Sequence, residues 1–158
     1  MKYKLINRTK ISSEVLKTLI EFAAPKGIKK VTISVMYDNP KGLSAWRGVS
    51  YTLKKNKSII IRFQKSGLVY PVFSNRKEEE EYGYTPRFLI RDLDEALLSL
   101  FAHELRHIWQ MNVSKRRFWT GKMYNFVDWD GRKLTSIYKM ESDACGYAKR
   151  TLDRYRKL

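Results

Sequence analysis

The spacing of apolar positions in the first half of the chain predicts one helix followed by strands. Residues 12–24 repeat apolar side chains at helical intervals behind a serine cap, and a Pro-Lys-Gly sequence ends them. The run VTISVMY, residues 31–37, alternates with a period of two, as a half-buried strand does. WRGVSYTL at 46–53 and SIIIRF at 58–63 predict two more strands joined as a hairpin. We therefore expect an N-terminal helix and a small, mostly antiparallel sheet.

The second half of the chain predicts two long helices separated by loops. Residues 65–91 mix glycine, proline and an acidic run with short apolar pieces, and predict mostly loop. Residues 92–111 are strongly helical in pattern, residues 112–133 predict a loop, and a last helix is expected over 134–156. Neither repeats nor a linker divide the chain, so the expected fold class is α+β, with one domain over residues 1–158.

Charge is the second distinctive feature of the chain. The formal net charge is +16 and the isoelectric point is about 10, a surplus that favours encounter with polyanions such as nucleic acid. A generally basic, soluble surface explains the same surplus equally well. No uncharged apolar run reaches the length of a membrane span, so the expectation is a cytoplasmic protein with no membrane partner. One cysteine excludes a disulfide framework and a zinc ribbon, which leaves histidine and carboxylate as metal ligands.

The stretch FAHELRHIWQ contains both histidines of the chain and predicts a zinc site. His103 and His107 lie four positions apart, about 40° from each other on one helical face, so both rings can reach one ion. Glu104 is displaced around the helix and can reach a water on that ion as a general base. The alternative is a chance H-E-x-x-H pattern, which occurs in roughly one in a few hundred chains of this length. The pattern favours zinc, but two histidines require a third ligand.

The last helix supplies the candidate third ligand. Glu141 lies at the centre of an otherwise apolar stripe, where a buried carboxylate requires a strong partner such as a zinc ion or, alternatively, an arginine. Asp143 is rotated away from that stripe and is expected in solvent, paired with Lys139 or Arg150. Tyr138, one turn before Glu141, is the candidate donor to an oxyanion, or else a packed aromatic residue.

These motifs resemble those of the gluzincin group of zinc metallopeptidases. A helix with H-E-x-x-H is followed about 30 residues later by a helix with a glutamate, and the stretch that begins at Glu141, ESDACGYA, is similar to one in ImmA/IrrE-type peptidases. The resemblance implies a zincin-like fold with a central HExxH helix and a C-terminal ligand helix. It also implies zinc on His103, His107 and Glu141, with Glu104 as the general base in hydrolysis of a peptide or protein substrate.

A second hypothesis takes the basic charge as the primary feature. The chain would then be a nucleic-acid-binding or nucleic-acid-associated protein with a structural or vestigial zinc site. SprT-like proteases share the first motif and a basic character, but they use a further histidine that this chain lacks. A structural zinc site needs four protein ligands and has no use for Glu104, so an open metal position distinguishes the two hypotheses.

Overall fold

Three strands and three helices make up the described part of the chain. The computed structural model describes residues 1–37, 58–63, 90–113 and 134–158, and the side chains at positions 62, 63, 113 and 134–142 lie outside that description. In chain order the elements are β1 (Lys2–Arg8), α1 (Ser13–Ala23), β2 (Lys30–Tyr37), β3 (Ser58–Phe63), α2 (Leu93–Val113) and α3 (Leu134–Tyr155). The fold is α+β, as predicted, and all three predicted helices form within a residue or two of the expected bounds.

The sheet is parallel, so the prediction of a mostly antiparallel sheet is wrong. The strand order is β1-β2-β3, and both pairs of neighbours run parallel. The register places Ile33 of β2 between Leu5 of β1 and Ile59 of β3. For β1 and β2 the physical reason is the order β1-α1-β2, since a helix between two strands carries the chain back to the end where the first strand began. The predicted hairpin strand at 46–53 lies outside the described residues.

Strand β1 was not predicted, because its lysines were interpreted as interruptions of an apolar run. Lys2 and Lys4 are exposed, whereas Tyr3 and Leu5 pack against the core, so the segment has the alternation of a half-buried strand. The Tyr3 hydroxyl donates to Glu21 Oε1 of α1 at 2.9 Å. Burial and this contact raise the pKa of Tyr3 to about 12. A strand therefore precedes the helix that was expected to begin the fold.

Helix α1 begins and ends where its sequence predicts. The Ser12 hydroxyl accepts a hydrogen bond from the Glu14 backbone N–H at 3.2 Å, and this satisfies a donor that the first turn leaves unpaired. The helix ends at Ala24, which is extended, and the turn that follows uses a positive φ of 100° at Gly27. Its apolar stripe, including Leu16 and Ile20, is fully buried.

One hydrophobic cluster joins the inner face of the sheet to the helices. The alternation predicted for β2 is confirmed, because Val31, Ile33 and Val35 are buried. Helix α2 supplies many of the large buried side chains of the cluster, among them Phe101 and Leu105. Each fully buried side chain of this kind stabilises the fold by about 1.5–3 kcal/mol relative to exposure. Helix α2 is thus held rigidly at the centre, and none of the described helices is long and apolar enough to cross a membrane.

Helices α2 and α3 pack antiparallel. At the start of α2, Glu95 binds Arg156 from just beyond the end of α3, through two contacts of 2.7 Å. Nearer the other end of α2, Arg106 binds Asp143 in the middle of α3. Positions later in α2 therefore face positions earlier in α3. This arrangement brings the middle of α3 beside the histidines of α2.

Candidate metal centre

His103, Glu104 and His107 lie together in the interior. The two histidines are each 7% exposed and Glu104 is 4% exposed. The histidine Nε2 atoms are 3.1 Å apart, and the rings are nearly perpendicular, with centroids 4.7 Å apart. One potential ligand atom from each of the three residues lies within 4.8 Å of the others, so this buried group can hold a metal ion.

The distance between the two Nε2 atoms suits a shared metal. Two nitrogens that each lie about 2.1 Å from a zinc ion at a tetrahedral angle are roughly 3.4 Å apart. The observed 3.1 Å is close to that spacing and also allows one Nε2–H to donate to the other ring. The helix therefore directs both Nε2 atoms toward one point, and a small increase in the distance between them would make room for an ion.

Glu104 supplies independent evidence that the group is built for a ligand. Its Oε2 atom is buried and has no hydrogen-bond partner in the described part of the chain. A buried carboxylate oxygen without a partner is energetically costly, so native proteins retain few of them without a functional reason. A metal ion or a water beside the two histidines would satisfy this atom. The residues present thus fit a metal group through both their donor set and this orphaned oxygen.

Gln110 connects the candidate ligand His107 to helix α3. Its Oε1 lies 2.9 Å from His107 Nδ1, and its Nε2 donates to Asp143 Oδ2 at 2.9 Å. An ionised carboxylate only accepts hydrogen bonds, so Asp143 fixes the amide with its NH₂ group toward α3 and its oxygen toward the ring. His107 Nδ1 must then carry the proton it donates. His107 Nε2 is left with a lone pair that points at His103, as a metal ligand requires.

His103 has a different outer partner, the thiol of Cys145. Cys145 Sγ lies 3.6 Å from His103 Nδ1, the ring nitrogen on the side away from His107, and Cys145 is only 2% exposed. Without a metal, His103 Nε2–H donates to His107 and Cys145 S–H donates to His103 Nδ1. With a metal on Nε2, the proton of His103 must lie on Nδ1 and face the sulfur, a weak acceptor. The two histidines therefore have outer partners of unequal strength.

Asp143 is partly buried rather than in solvent, and its ion-pair partner among the described side chains is Arg106; the predicted partner Lys139 has a side chain outside the described part. Arg106 Nε and Nη2 donate to its two oxygens at 2.6 and 3.0 Å, and its side chain is only 21% exposed. Burial alone raises the pKa of Asp143, but the hydrogen bonds from Arg106 and Gln110 and the charges of Arg106 and Arg150 outweigh it. The pKa of this carboxyl is therefore lowered from its usual value. The physical reason is that the side chains of Arg106 and Gln110 are long enough to cross from α2 to α3. There they contact Asp143 at the side of the apolar stripe of α3.

Aromatic rings hold Arg106 in place. Its guanidinium carbon lies 3.7 Å from the centroid of the Trp109 ring and 5.1 Å from that of Tyr147. The Tyr147 hydroxyl donates in turn to the Ala23 carbonyl at the end of α1. Cation–π contacts of this kind favour a fixed guanidinium. The carboxylate that orients Gln110 is thus anchored to all three helices.

Two predicted site residues fall in a segment whose side chains are not described. Glu141 and Tyr138 both lie within α3, and their side chains are outside the described part. The backbone places Glu141 one turn before Cys145. The structure therefore brings together His103, Glu104 and His107, while the expectation that Glu141 is a ligand and that Tyr138 is a catalytic donor remains a prediction.

Sequence reasoning missed the supporting residues of this centre, although a signal for them was present. Gln110 follows His107 by three positions, a spacing that puts the two side chains on one helical face. The same face continues toward the start of α2 at intervals of four, through buried His103, Ser99 and Glu95. A polar stripe of this regularity on an otherwise apolar helix indicates polar contacts along it, which form at Glu95, His103 and Gln110 but, among the described residues, not at the buried Ser99 hydroxyl.

Comparisons of this chain with protein-family models, with curated proteins and with solved structures found no match. The resemblance to zinc metallopeptidases therefore rests on the residues of this chain alone.

Proposed function

We propose that the protein is a zinc-dependent metallopeptidase. The observation that carries this proposal is the buried carboxylate of Glu104, which has one oxygen without a partner among the described residues and lies within 4.8 Å of ligand atoms of two histidines whose Nε2 atoms are 3.1 Å apart. A general base needs a carboxylate that is near the metal position and is not consumed by other partners. Glu104 satisfies both conditions in the described part of the chain. Neither a simple packing role nor a hydrogen-bonding role explains why this oxygen is buried without a partner.

Glu141 is the proposed third ligand, and the antiparallel packing of the helices supports it. Cys145 lies beside His103, and Glu141 lies one turn earlier in α3. Because α2 and α3 are antiparallel, moving one turn toward the start of α3 is matched by moving one turn toward the end of α2. On α2 that is the step from His103 to His107. The backbone position of Glu141 is therefore close to that of His107. A carboxylate ligand from this position would complete the three protein ligands of an open zinc site.

An open site agrees better with the described residues than a structural zinc site does. A structural site needs four protein ligands, and Cys145 is the nearby residue type best suited to be one. Its sulfur, however, contacts His103 Nδ1, on the opposite side of the ring from Nε2. The described residues that gather around the two Nε2 atoms include only one further candidate ligand, Glu104.

The residues of the chain then have distinct roles in peptide hydrolysis. Zinc, when bound, would polarise the peptide carbonyl and make water acidic enough to react near neutral pH. Glu104 takes a proton from the attacking water and returns it to the leaving amine as the C–N bond breaks. His107 donates its Nδ1 proton to Gln110, so Nε2 is the nitrogen that it offers to the metal. Tyr138 remains the proposed donor to the oxyanion.

The test is metal content measured together with peptide cleavage. The purified protein is expected to contain one zinc per chain and to cleave members of a broad library of quenched fluorescent peptides. Chelation should abolish cleavage, and added zinc should restore it. Zinc without cleavage under any condition would favour the structural-site hypothesis, and a chain that binds no zinc would contradict both.

A further inference from the structure

The face of the sheet that points away from the helices has an unusual composition. In β1, Tyr3 and Leu5 point toward the helices, so the even-numbered residues point the other way. In β2 the inward residues are Val31, Ile33 and Val35, and again the even-numbered residues lie opposite. We call this opposite side the outer sheet face; its described residues are Lys2, Lys4, Ile6, Arg8, Lys30, Thr32, Ser34, Met36, Ser58 and Ile60.

The outer sheet face contains four cations and no carboxylate. Lys2, Lys4, Arg8 and Lys30 are all exposed, and none of the three strands contains an aspartate or a glutamate. Lys2 and Lys30 are direct partners in the register, and Lys4 follows two residues later on the same face. Like charges placed directly opposite each other destabilise a sheet. The arrangement therefore costs stability unless an anion from outside the sheet compensates for it.

Four cations on the helical side of the molecule, unlike those of the outer sheet face, are held in ion pairs. Lys17 pairs with Glu14, Lys149 with Asp153, Arg106 with Asp143, and Arg156 with Glu95. Within the described ranges, by contrast, the four cations of the outer sheet face make no ion pair. The acidic residues of the described part all lie in the helices or immediately before them, so the outer sheet face itself carries only positive charge.

We propose that the outer sheet face binds the phosphate backbone of nucleic acid. Charge complementarity is the argument, since clustered lysine and arginine side chains on one face are the electrostatic signature of such binding. Thr32 lies beside Lys4 in the register and Ser58 beside Thr32, and their hydroxyls are additional donors of the type that phosphates accept.

The mode of binding follows from what the face lacks. Tyr3 and Tyr37 pack toward the core, so the described outer positions offer no aromatic ring on which a base can stack. Contacts through phosphates do not read sequence, so binding should depend little on base composition. Along β1 the cations extend over roughly 20 Å, from Lys2 to Arg8, enough to contact several phosphates at once.

Fluorescence anisotropy with labelled 20-mer duplex and single-stranded DNA of two base compositions tests this proposal. For the full chain, we expect binding at low salt, with little effect of composition. The slope of log affinity against log salt should be about −3 to −4, corresponding to about four phosphate contacts. The triple variant Lys2→Glu, Lys4→Glu and Lys30→Glu should lose at least about tenfold in affinity and most of that slope.

A matched variant with the same change in net charge provides the control. Lys17→Glu, Lys149→Glu and Lys157→Glu change the helical side and the C-terminus, and should retain most of the affinity. A milder variant, with Lys2, Lys4 and Lys30 all changed to Gln, addresses the case in which charge reversal disturbs folding, and circular dichroism checks each protein. Equal loss in the two charge-reversal variants, or no DNA binding by the parent at low salt, would overturn the proposal. Binding to vesicles of anionic phospholipid without binding to DNA would overturn it as well.

This proposal does not depend on the metallopeptidase proposal. The outer sheet face points away from the helices, whereas the residues of the metal centre lie on helix α2. The two sites share no residue. Glu104→Gln should therefore bind DNA as the parent does, whatever its effect on hydrolysis.

Discussion

His107 Nδ1 lies 2.9 Å from Gln110 Oε1, and this contact determines which nitrogen of the ring faces the candidate metal position. The amide cannot turn over, because its NH₂ group is held by Asp143 from the neighbouring helix. The orientation of a ligand on α2 therefore depends on a carboxylate of α3. Metal binding and the packing of the two helices are thereby coupled.

Replacement of Gln110 by alanine tests this coupling. The variant leaves the His107 Nδ1–H without its acceptor and removes one donor from Asp143, so the ring loses its fixed orientation. Loss of an outer-shell partner of this kind typically weakens metal binding about 10- to 100-fold. Competition titrations of zinc against a chromophoric chelator measure the change.

Asn112→Ala is the matched control for Gln110→Ala. Asn112 is an exposed amide two residues later on α2, and it donates to the Ile108 carbonyl rather than to a histidine. Its zinc affinity should equal that of the parent. If Gln110→Ala also bound zinc with parental affinity, the proposed orientation of His107 by Gln110 would be incorrect.

Replacement of Glu104 by glutamine separates a general base from a ligand. If Glu104 is the base, the variant keeps its zinc and loses peptide hydrolysis by about 10²- to 10⁴-fold. Zinc content and cleavage rate are measured on the same preparation. Glu14→Gln, an exposed glutamate on α1, should change neither. A variant that loses its zinc would instead identify Glu104 as a ligand, and parental cleavage would contradict the mechanism.

The elements of the fold were largely predictable because each has a strong local signal. Helix α1 has a serine cap and a Pro-Lys-Gly stop, and β2 has strict alternation, so both were predicted from neighbouring residues alone. Strand β1 alternates as well, but its outward lysines hid that pattern. The antiparallel direction was predicted from the hairpin at 46–63, and without β1 the β1-α1-β2 order that makes the first pair of strands parallel could not be recognised.

The candidate centre was predictable only where its residues share one helix. His103, Glu104 and His107 follow from spacing, because a helix fixes the relative directions of side chains four apart. Asp143 could not be placed in the same way, since its surroundings depend on how far Arg106 and Gln110 reach from another helix. Periodicity reports the face of a helix on which a residue lies, but not the length of the side chains that approach it.

The ion pair between Glu95 and Arg156 should contribute to stability in a pH-dependent way. The hydrogen bonds from Arg156 lower the pKa of Glu95 from its usual 4.5, despite burial that raises it, and the Arg91 backbone N–H also donates to it. A lowered folded-state pKa means that the stabilisation is fully present above about pH 4.5 and is lost as the pH falls through the folded value. Urea denaturation at a series of pH values from 6 to 3 should show this decline.

Replacement of Arg156 by alanine should leave Glu95 with a poorly compensated buried charge. We expect a loss of about 2–3 kcal/mol in the free energy of unfolding at pH 6, less than for a fully buried pair because the Arg156 side chain is 20% exposed. The acid decline below pH 4.5 should also become shallower. Lys157→Ala, at the exposed neighbouring position, should change stability by less than about 0.5 kcal/mol. Parallel pH profiles of parent and Arg156→Ala would show that this ion pair does not account for the acid sensitivity.

Zinc titration of alanine variants in α3 decides which carboxylate completes the metal site. Glu141→Ala should weaken zinc binding most, because it removes a proposed ligand, and should lower stability as metal-coupled folding is lost. Asp143→Ala should weaken binding by about 10- to 100-fold through Gln110 and His107. Asp153→Ala, which breaks only an exposed pair with Lys149, is the control and should bind zinc as the parent does. Zinc lost completely with Asp143→Ala but retained with Glu141→Ala would exclude Glu141 as the third ligand, because a residue that acts only through Gln110 cannot matter more than a direct ligand.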